Sequence, residues 1–106
     1  MKILLLEDEF SLRISIKEFL EDMEYEVDDY ADGMEAHDAI YSKSYDLLLL
    51  DVNVPSMDGF ELLQSIRKEG IKIPAIFLTS MIDVQNLNEG YKKGCCDYIR
   101  KPFDLL

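Results

Sequence analysis

Ile3-Leu4-Leu5-Leu6 is an unbroken apolar run, too short for a helix and of the kind that fills a strand buried on both faces. The period then changes: Leu12, Ile16, Phe19, Leu20 and Met23 recur at helical spacing and predict an amphipathic helix over 10–23 with those side chains inward. Tyr25 to Tyr30 reads as a second strand, and Glu26, Asp28 and Asp29 put it near a sheet edge. Asp32-Gly33 signals a turn, after which a shorter helix over 34–43 turns Ala36, Ala39 and Ile40 inward. Leu47-Leu48-Leu49-Leu50 repeats the first run and ends at Asp51. Pro55 and Gly59 bracket a loop, Asp58 can cap the helix that follows, Leu62, Leu63 and Ile66 form its buried stripe, and Gly70 ends it. Ile73 to Leu78 is a fourth strand, with Pro74 near its start, ending at Thr79-Ser80. Residues 83–93 make a weak helix, because only Val84, Leu87 and Tyr91 face inward and Gly90 costs about 1 kcal/mol relative to Ala. Tyr98-Ile99 belongs to a short fifth strand, followed by Arg100-Lys101-Pro102.

Strands alternating with helices predict an α/β domain with a doubly wound parallel sheet and helices on both faces, (βα)₄β in order. No internal repeat, linker or low-complexity segment divides the 106 residues.

Ligands of such open sheets bind beyond the carboxyl ends of the strands. Strand one delivers Glu7-Asp8 there, strand three Asp51, strand four Thr79-Ser80 and strand five Arg100-Lys101-Pro102. Three carboxylates held close together repel one another, and a single lysine cannot neutralise them. Mg²⁺ prefers oxygen ligands, keeps several waters and couples to phosphate, and with Lys101 it brings the set to neutrality. In that setting Asp51 can act as a nucleophile toward phosphorus, with the ion and Lys101 supplying position and charge. Any one of these residues alone has an ordinary explanation in an acidic chain, and the signal lies in their joint placement at four strand ends.

Lys plus Arg number 11 against 22 Asp plus Glu, a net charge of −11 that repels nucleic-acid phosphates and argues against direct nucleic acid contact. The apolar fraction of 48% suits a folded soluble domain. Cys95 and Cys96 are adjacent, too close to staple one another, and with His37 as the one histidine they form no metal-type spacing, so both read as free thiols of a reducing cytoplasm. No export segment or membrane-spanning run is evident. His37 and the acidic run Glu24 to Asp32 read as solvated.

The set Glu7-Asp8, Asp51, Met57-Asp58-Gly59, Thr79 and Lys101-Pro102-Phe103 resembles the receiver domains of two-component response regulators, from residue 2 to residue 106, with the stretch DLLLLDVNVPSMDGFELL from Asp46 the nearest match. The resemblance implies a flavodoxin-like five-stranded parallel sheet in which Asp51 accepts a phosphoryl group. Asp8 would bind Mg²⁺ directly, Glu7 through a metal-bound water, and the Asn53 carbonyl and Asp51 would complete the protein's ligands. Thr79 would hydrogen-bond a phosphoryl oxygen, Lys101 would pair with the phosphoryl group and with Asp51, and the Lys101-Pro102 bond would be cis. Tyr98 would be the aromatic switch that turns inward as Thr79 moves. The implied donor is a sensor histidine kinase and the implied reader an effector domain or partner protein, in the cytoplasm, without membrane contact. The domain would catalyse only its own phosphotransfer and autodephosphorylation and would not be an enzyme in the ordinary sense.

The sequence departs from the pattern in two ways. Family domains close with a fifth helix after Lys-Pro-Phe; with the sequence ending at Leu106, that helix is expected to be truncated or missing from this chain, and any effector domain to lie outside it. An uncovered sheet face would follow and invite association, a homodimer included. Asn53 and Met81, each two residues past a site position, are expected beside the path of an attacking water and to tune phosphoryl lifetime.

Other functions fit less well. A phosphorylation-independent interaction module would not need every acidic, hydroxyl and lysine position retained. A Mg²⁺-dependent phosphohydrolase with an aspartate nucleophile usually needs a second carboxylate where Asn53 stands. A flavin-binding module needs a phosphate-cradling loop after strand one, where Glu7-Asp8 would repel the phosphate.

Overall fold

The computed structural model describes residues 1–52, 54–79 and 97–100, with Thr79 and the last four described through the backbone. The described elements are β1 (Lys2–Leu6), α1 (Phe10–Asp22), β2 (Glu26–Tyr30), α2 (Gly33–Ser42), β3 (Leu47–Asp51), α3 (Gly59–Lys68), β4 (Ala75–Thr79) and β5 (Asp97–Arg100). The predicted helix over 83–93, the cysteine pair and everything from Lys101 on lie outside the described residues.

The strands form one five-stranded sheet in the order β2-β1-β3-β4-β5, every neighbouring pair parallel. This is the expected flavodoxin-like, doubly wound arrangement. The chain moves outward from β1 to β2, then crosses back over β1 to β3, so the direction of winding reverses between β1 and β3.

The apolar runs are continuous because each strand is buried on both sides. Leu4, Leu6, Leu48, Leu50, Ala75 and Phe77 point to one face, where Ala36 and Ile40 of α2 and Leu62, Leu63 and Ile66 of α3 cover them. Ile3, Leu5, Leu49 and Leu78 point to the other face, with Ile16 of α1. Register holds these layers together, since Leu4 pairs with Leu48 and Leu48 with Ala75, while Leu6 pairs with Leu50 and Leu50 with Phe77. Phe60 of α3 meets Phe77 edge-on, with ring centroids 4.8 Å apart.

The helix stops are local. Both α1 and α3 end in a left-handed residue followed by a backbone bond that spans the last turn: Tyr25 N–H donates to Leu20 O after α1, and Ile71 N–H to Ile66 O after α3. The left-handed residue is Gly70 after α3 (φ 83°) but Glu24 after α1 (φ 69°), where a side chain occupies a conformation that favours glycine. Arg67 locks the end of α3 further by donating to the Ile71 and Ile73 carbonyls at 2.8 and 2.7 Å.

Three expectations about side chains need correction. Phe19 and Met23 were expected inward, yet they are 39% and 51% exposed, because the sheet-facing stripe of α1 is narrow and consists of Ile16 flanked by the partly buried Leu12 and Leu20. The acidic stretch of β2 is not simply solvated. Asp28 accepts from the Tyr45 hydroxyl at 2.6 Å and lies near Lys2 and Lys43, and Asp29 accepts from Arg13 and Lys17, each at 3.0 Å. Those partners act on titration. The Tyr45 hydrogen bond, aided by Lys43 and Lys2, holds the Asp28 carboxyl below its usual range. Burial pushes the Tyr45 phenol well up, and its bond to Asp28 adds to that. Nor is His37 solvated: it is half-buried against α3, its Nε2 3.2 Å from the Ser65 hydroxyl, with its ring against Tyr41. β2 is nevertheless an edge strand, as expected.

Candidate functional site

The direction of winding reverses between β1 and β3, the place where open parallel sheets bind ligands beyond their strands' carboxyl ends, and the sequence puts acid there. Leu6 pairs with Leu50, so Glu7 and Asp51 leave their strands at the same level, side by side. Glu7 and Asp51 are 1% and 5% exposed, whereas Asp8 is exposed. One ligand atom from each of Glu7, Asp8 and Asp51 lies within 4.8 Å of the others. No other group of three or more His, Cys, Asp or Glu among the described residues is placed to share an ion.

Two of the acids, Glu7 and Asp51, are held by the backbone around them. Glu7 N–H donates to Tyr30 O at 3.0 Å, continuing the β1–β2 pairing beyond the strand. Glu7 Oε2 accepts from Glu9 N–H at 3.1 Å, and the Glu7 carbonyl accepts from Arg13 Nη1 at 3.0 Å. Asp51 ends β3 opposite Leu78, and Val52 N–H reaches Leu78 O at 3.4 Å. Behind it stands Gly59, whose N–H donates to Val52 O at 3.0 Å; a Cβ at Gly59 would lie 2.4 Å from the Asp51 carbonyl oxygen. The absence of a side chain there lets the first turn of α3 press against the end of β3.

The loop between β3 and α3 is fastened to α2. Asp32 Oδ1 accepts from Met34 and Glu35 N–H at 2.8 and 3.2 Å, capping α2, while its Oδ2 accepts from the Ser56 hydroxyl at 2.6 Å. The Ser56 bond, with the two amides, holds the Asp32 carboxyl below its usual range. Gly33 N–H donates to Pro55 O at 3.1 Å. Asp58 caps α3 as expected, accepting from Glu61 N–H at 2.8 Å.

Of the other expected residues, the backbone places Thr79 at the carboxyl end of β4, one position past Leu78, and pairs it with Arg100 of β5. β5 therefore runs through Arg100, one residue beyond the predicted Tyr98-Ile99, and Tyr98 of this edge strand pairs with Phe77 of β4. Asn53, Met81 and Lys101 lie outside the described residues. Reasoning from sequence missed Arg13, Asp29 and the Asp32–Ser56 fastening. The spacing of six residues between Glu7 and Arg13, one helical turn into α1, was the available signal.

The donor set suits a hard divalent cation. Ligands on opposite sides of octahedral Mg²⁺ are about 4 Å apart. A spread of up to 4.8 Å matches direct ligation by some of the three carboxylates and contact through water by the rest. Two carboxylates this buried and this close repel without a cation between them.

Comparison with known proteins agrees with this geometry. The family model for the response regulator receiver domain matches residues 3–105. The chain belongs to that family. The receiver domain is 44% identical over 105 residues to the transcriptional regulatory protein CrdR of Helicobacter pylori, covering 98% of this chain and 49% of that protein. It is 39% identical over 105 residues to the transcriptional regulatory protein RprY of Bacteroides fragilis, covering 99% and 44%. It thus spans about half the length of these relatives. Among solved structures, the receiver domain of the Francisella response regulator 1452 superposes with a TM-score of 0.92 at 34% identity, covering 98% of this chain and 86% of that one. The chemotaxis protein CheY4 of Vibrio cholerae superposes with a TM-score of 0.90 at 32% identity, covering 98% and 88%. Among the described residues, no helix of the receiver domain is long and apolar enough to cross a membrane.

Proposed function

We propose that residues 1–106 act as a phosphorylation switch in which Asp51 accepts a phosphoryl group from the phosphohistidine of a sensor histidine kinase. One observation carries this reading: Asp51 is buried at the end of β3 with ligand atoms of Glu7 and Asp8 within 4.8 Å, at the point where the sheet's winding reverses. An Asp51 carboxylate oxygen attacks phosphorus, the P–N bond breaks, and the imidazole leaves with its electron pair and takes up a proton. The product is an acyl phosphate on Asp51.

Asp8, Asp51 and the Asn53 carbonyl would hold Mg²⁺ directly and Glu7 through water; the ion supplies charge stabilisation for the transferring phosphoryl oxygens. Burial of Glu7 and Asp51 keeps their oxygens fixed, so the site needs little rearrangement as charge moves. Lys101 would pair with the phosphoryl group, and the Thr79 hydroxyl would bond one of its oxygens. Tyr98 would then turn inward and alter the surface around the fourth helix and β5. An effector domain would read that surface, with transcriptional output as in the relatives' names. The protein would act in the cytoplasm without touching nucleic acid through this unit, and would catalyse only its own phosphotransfer and autodephosphorylation.

The test is intact mass after incubation with acetyl phosphate and Mg²⁺. The proposal expects a gain of one phosphate in the wild type and none in Asp51→Ala or in the presence of EDTA. An equal gain in Asp51→Ala refutes it. Steady turnover of a small phosphate ester at enzyme-like rates would favour a phosphohydrolase instead.

A further inference from the structure

We infer that Arg13 is a positioning residue for the cation site, holding the Glu7-Asp8 turn in the shape that binds Mg²⁺; the inference rests on the function proposed above. The turn from β1 into α1 carries two of the three clustered carboxylates, yet Glu9, the cap residue that precedes α1, makes no side-chain capping bond. Arg13 supplies a tie. Its Nη1 donates to the Glu7 carbonyl and its Nε to Asp29 Oδ2, both at 3.0 Å. The guanidinium is planar and its donors are fixed relative to one another, so two bonds to two elements set its position. Only 13% of the side chain is exposed, and its outer face rests against the Phe10 ring at 5.4 Å.

Asp29 is the anchor. It sits in β2, opposite Leu5 of β1, and is held by Lys17 as well as Arg13. A chain of contacts therefore runs from the edge strand through Arg13 to the backbone of Glu7, whose side chain is one of the clustered ligands. Partners of metal ligands commonly control affinity because they orient those ligands.

Lys17 gives the control. Lys17 and Arg13 bear the same charge and share the same carboxylate, but only Arg13 reaches Glu7. Removing either cation removes a positive charge near the site, which by itself favours binding of a divalent ion. A difference between the two variants therefore isolates the bond to the Glu7 carbonyl.

The experiment titrates MgCl₂ into ¹⁵N-labelled wild type, Arg13→Met and Lys17→Met and follows the amide shifts of residues 7–9, with thermal melting of each protein alongside. Lys17→Met is expected to keep the wild-type Kd within about twofold, and Arg13→Met to bind about tenfold more weakly, although both lose stability. Arg13→Lys keeps the charge without the planar fork; it is expected to weaken binding in the same direction and serves as the comparison should the methionine variant fail to fold. Equal affinities for the Arg13 and Lys17 variants overturn the inference while leaving the cation site standing. A wild type with no saturable response to Mg²⁺ overturns both.

Discussion

Gly59→Ala sets two opposed effects against each other at the most confined backbone contact beside Asp51. The position is the first residue of α3, and alanine is favoured over glycine there by at most about 1 kcal/mol. Against that, the new Cβ would lie 2.4 Å from the Asp51 carbonyl oxygen, 3.1 Å from the Asp51 carbonyl carbon and 3.2 Å from Val52 Cα. Ordinary contact begins near 3.4 Å, so α3 or the end of β3 must move by about 1 Å. All three obstructing atoms are backbone, and no flexible side chain can absorb the displacement. Overpacking of this kind costs about 1–3 kcal/mol, so taking the helical gain from the middle of that range leaves a net loss of about 1 kcal/mol. In urea, with a slope of about 1–1.5 kcal/mol/M for a domain of this size, the midpoint should fall by roughly 1 M. Because the displaced atoms belong to Asp51 itself, the rate of phosphate gain from acetyl phosphate should fall as well, measured on protein that remains folded. A midpoint at or above that of the wild type would refute the steric reasoning.

Two further predictions concern stability alone. Glu24→Gly replaces a side chain at φ 69° with the residue that this conformation favours, as already found at the equivalent stop of α3, and should stabilise the fold by about 0.5–1 kcal/mol in urea titrations; a loss of stability would contradict it. Burial pushes the Asp29 carboxyl up, but its bonds to Lys17 and Arg13 outweigh that and leave it below the usual value of 3.8. With a depressed folded-state pKa, its contribution is present above the unfolded value and is lost as pH falls through the folded one. The stability gap between wild type and Asp29→Asn should therefore be widest near neutrality and close below about pH 4; a gap unchanged down to pH 2 would contradict the assignment.

Much of the fold was legible because burial on both faces leaves a plain mark: Ile3 to Leu6 and Leu47 to Leu50 are uninterrupted, and they became adjacent central strands. The carboxylate cluster was legible for a related reason. A residue that directly follows a buried parallel strand is delivered to the ligand-binding edge whatever the rest of the chain does, so Glu7, Asp8 and Asp51 needed only the strand ends to be right. Legibility stopped where function depends on contacts between elements. Which part of the α1 stripe meets the sheet is decided by how the helix is laid down, and so Phe19 and Met23 were misjudged. Asp28, Asp29 and His37 look like solvated residues in isolation, and their partners lie on other elements: Tyr45, Arg13 with Lys17, and Ser65 respectively. Arg13 could not be read as a tie between β2 and the acidic turn until α1 was seen lying beside both.

The central claim is that one particular carboxylate carries the phosphoryl group, and borohydride trapping tests it most directly. An acyl phosphate on aspartate is reduced to homoserine, and the altered residue can then be located by peptide sequencing in the mass spectrometer. After treatment with acetyl phosphate and Mg²⁺, homoserine is predicted at position 51 and nowhere else. Homoserine at position 8, or phosphate retained on a serine, threonine or histidine with Asp51 intact, would contradict the account.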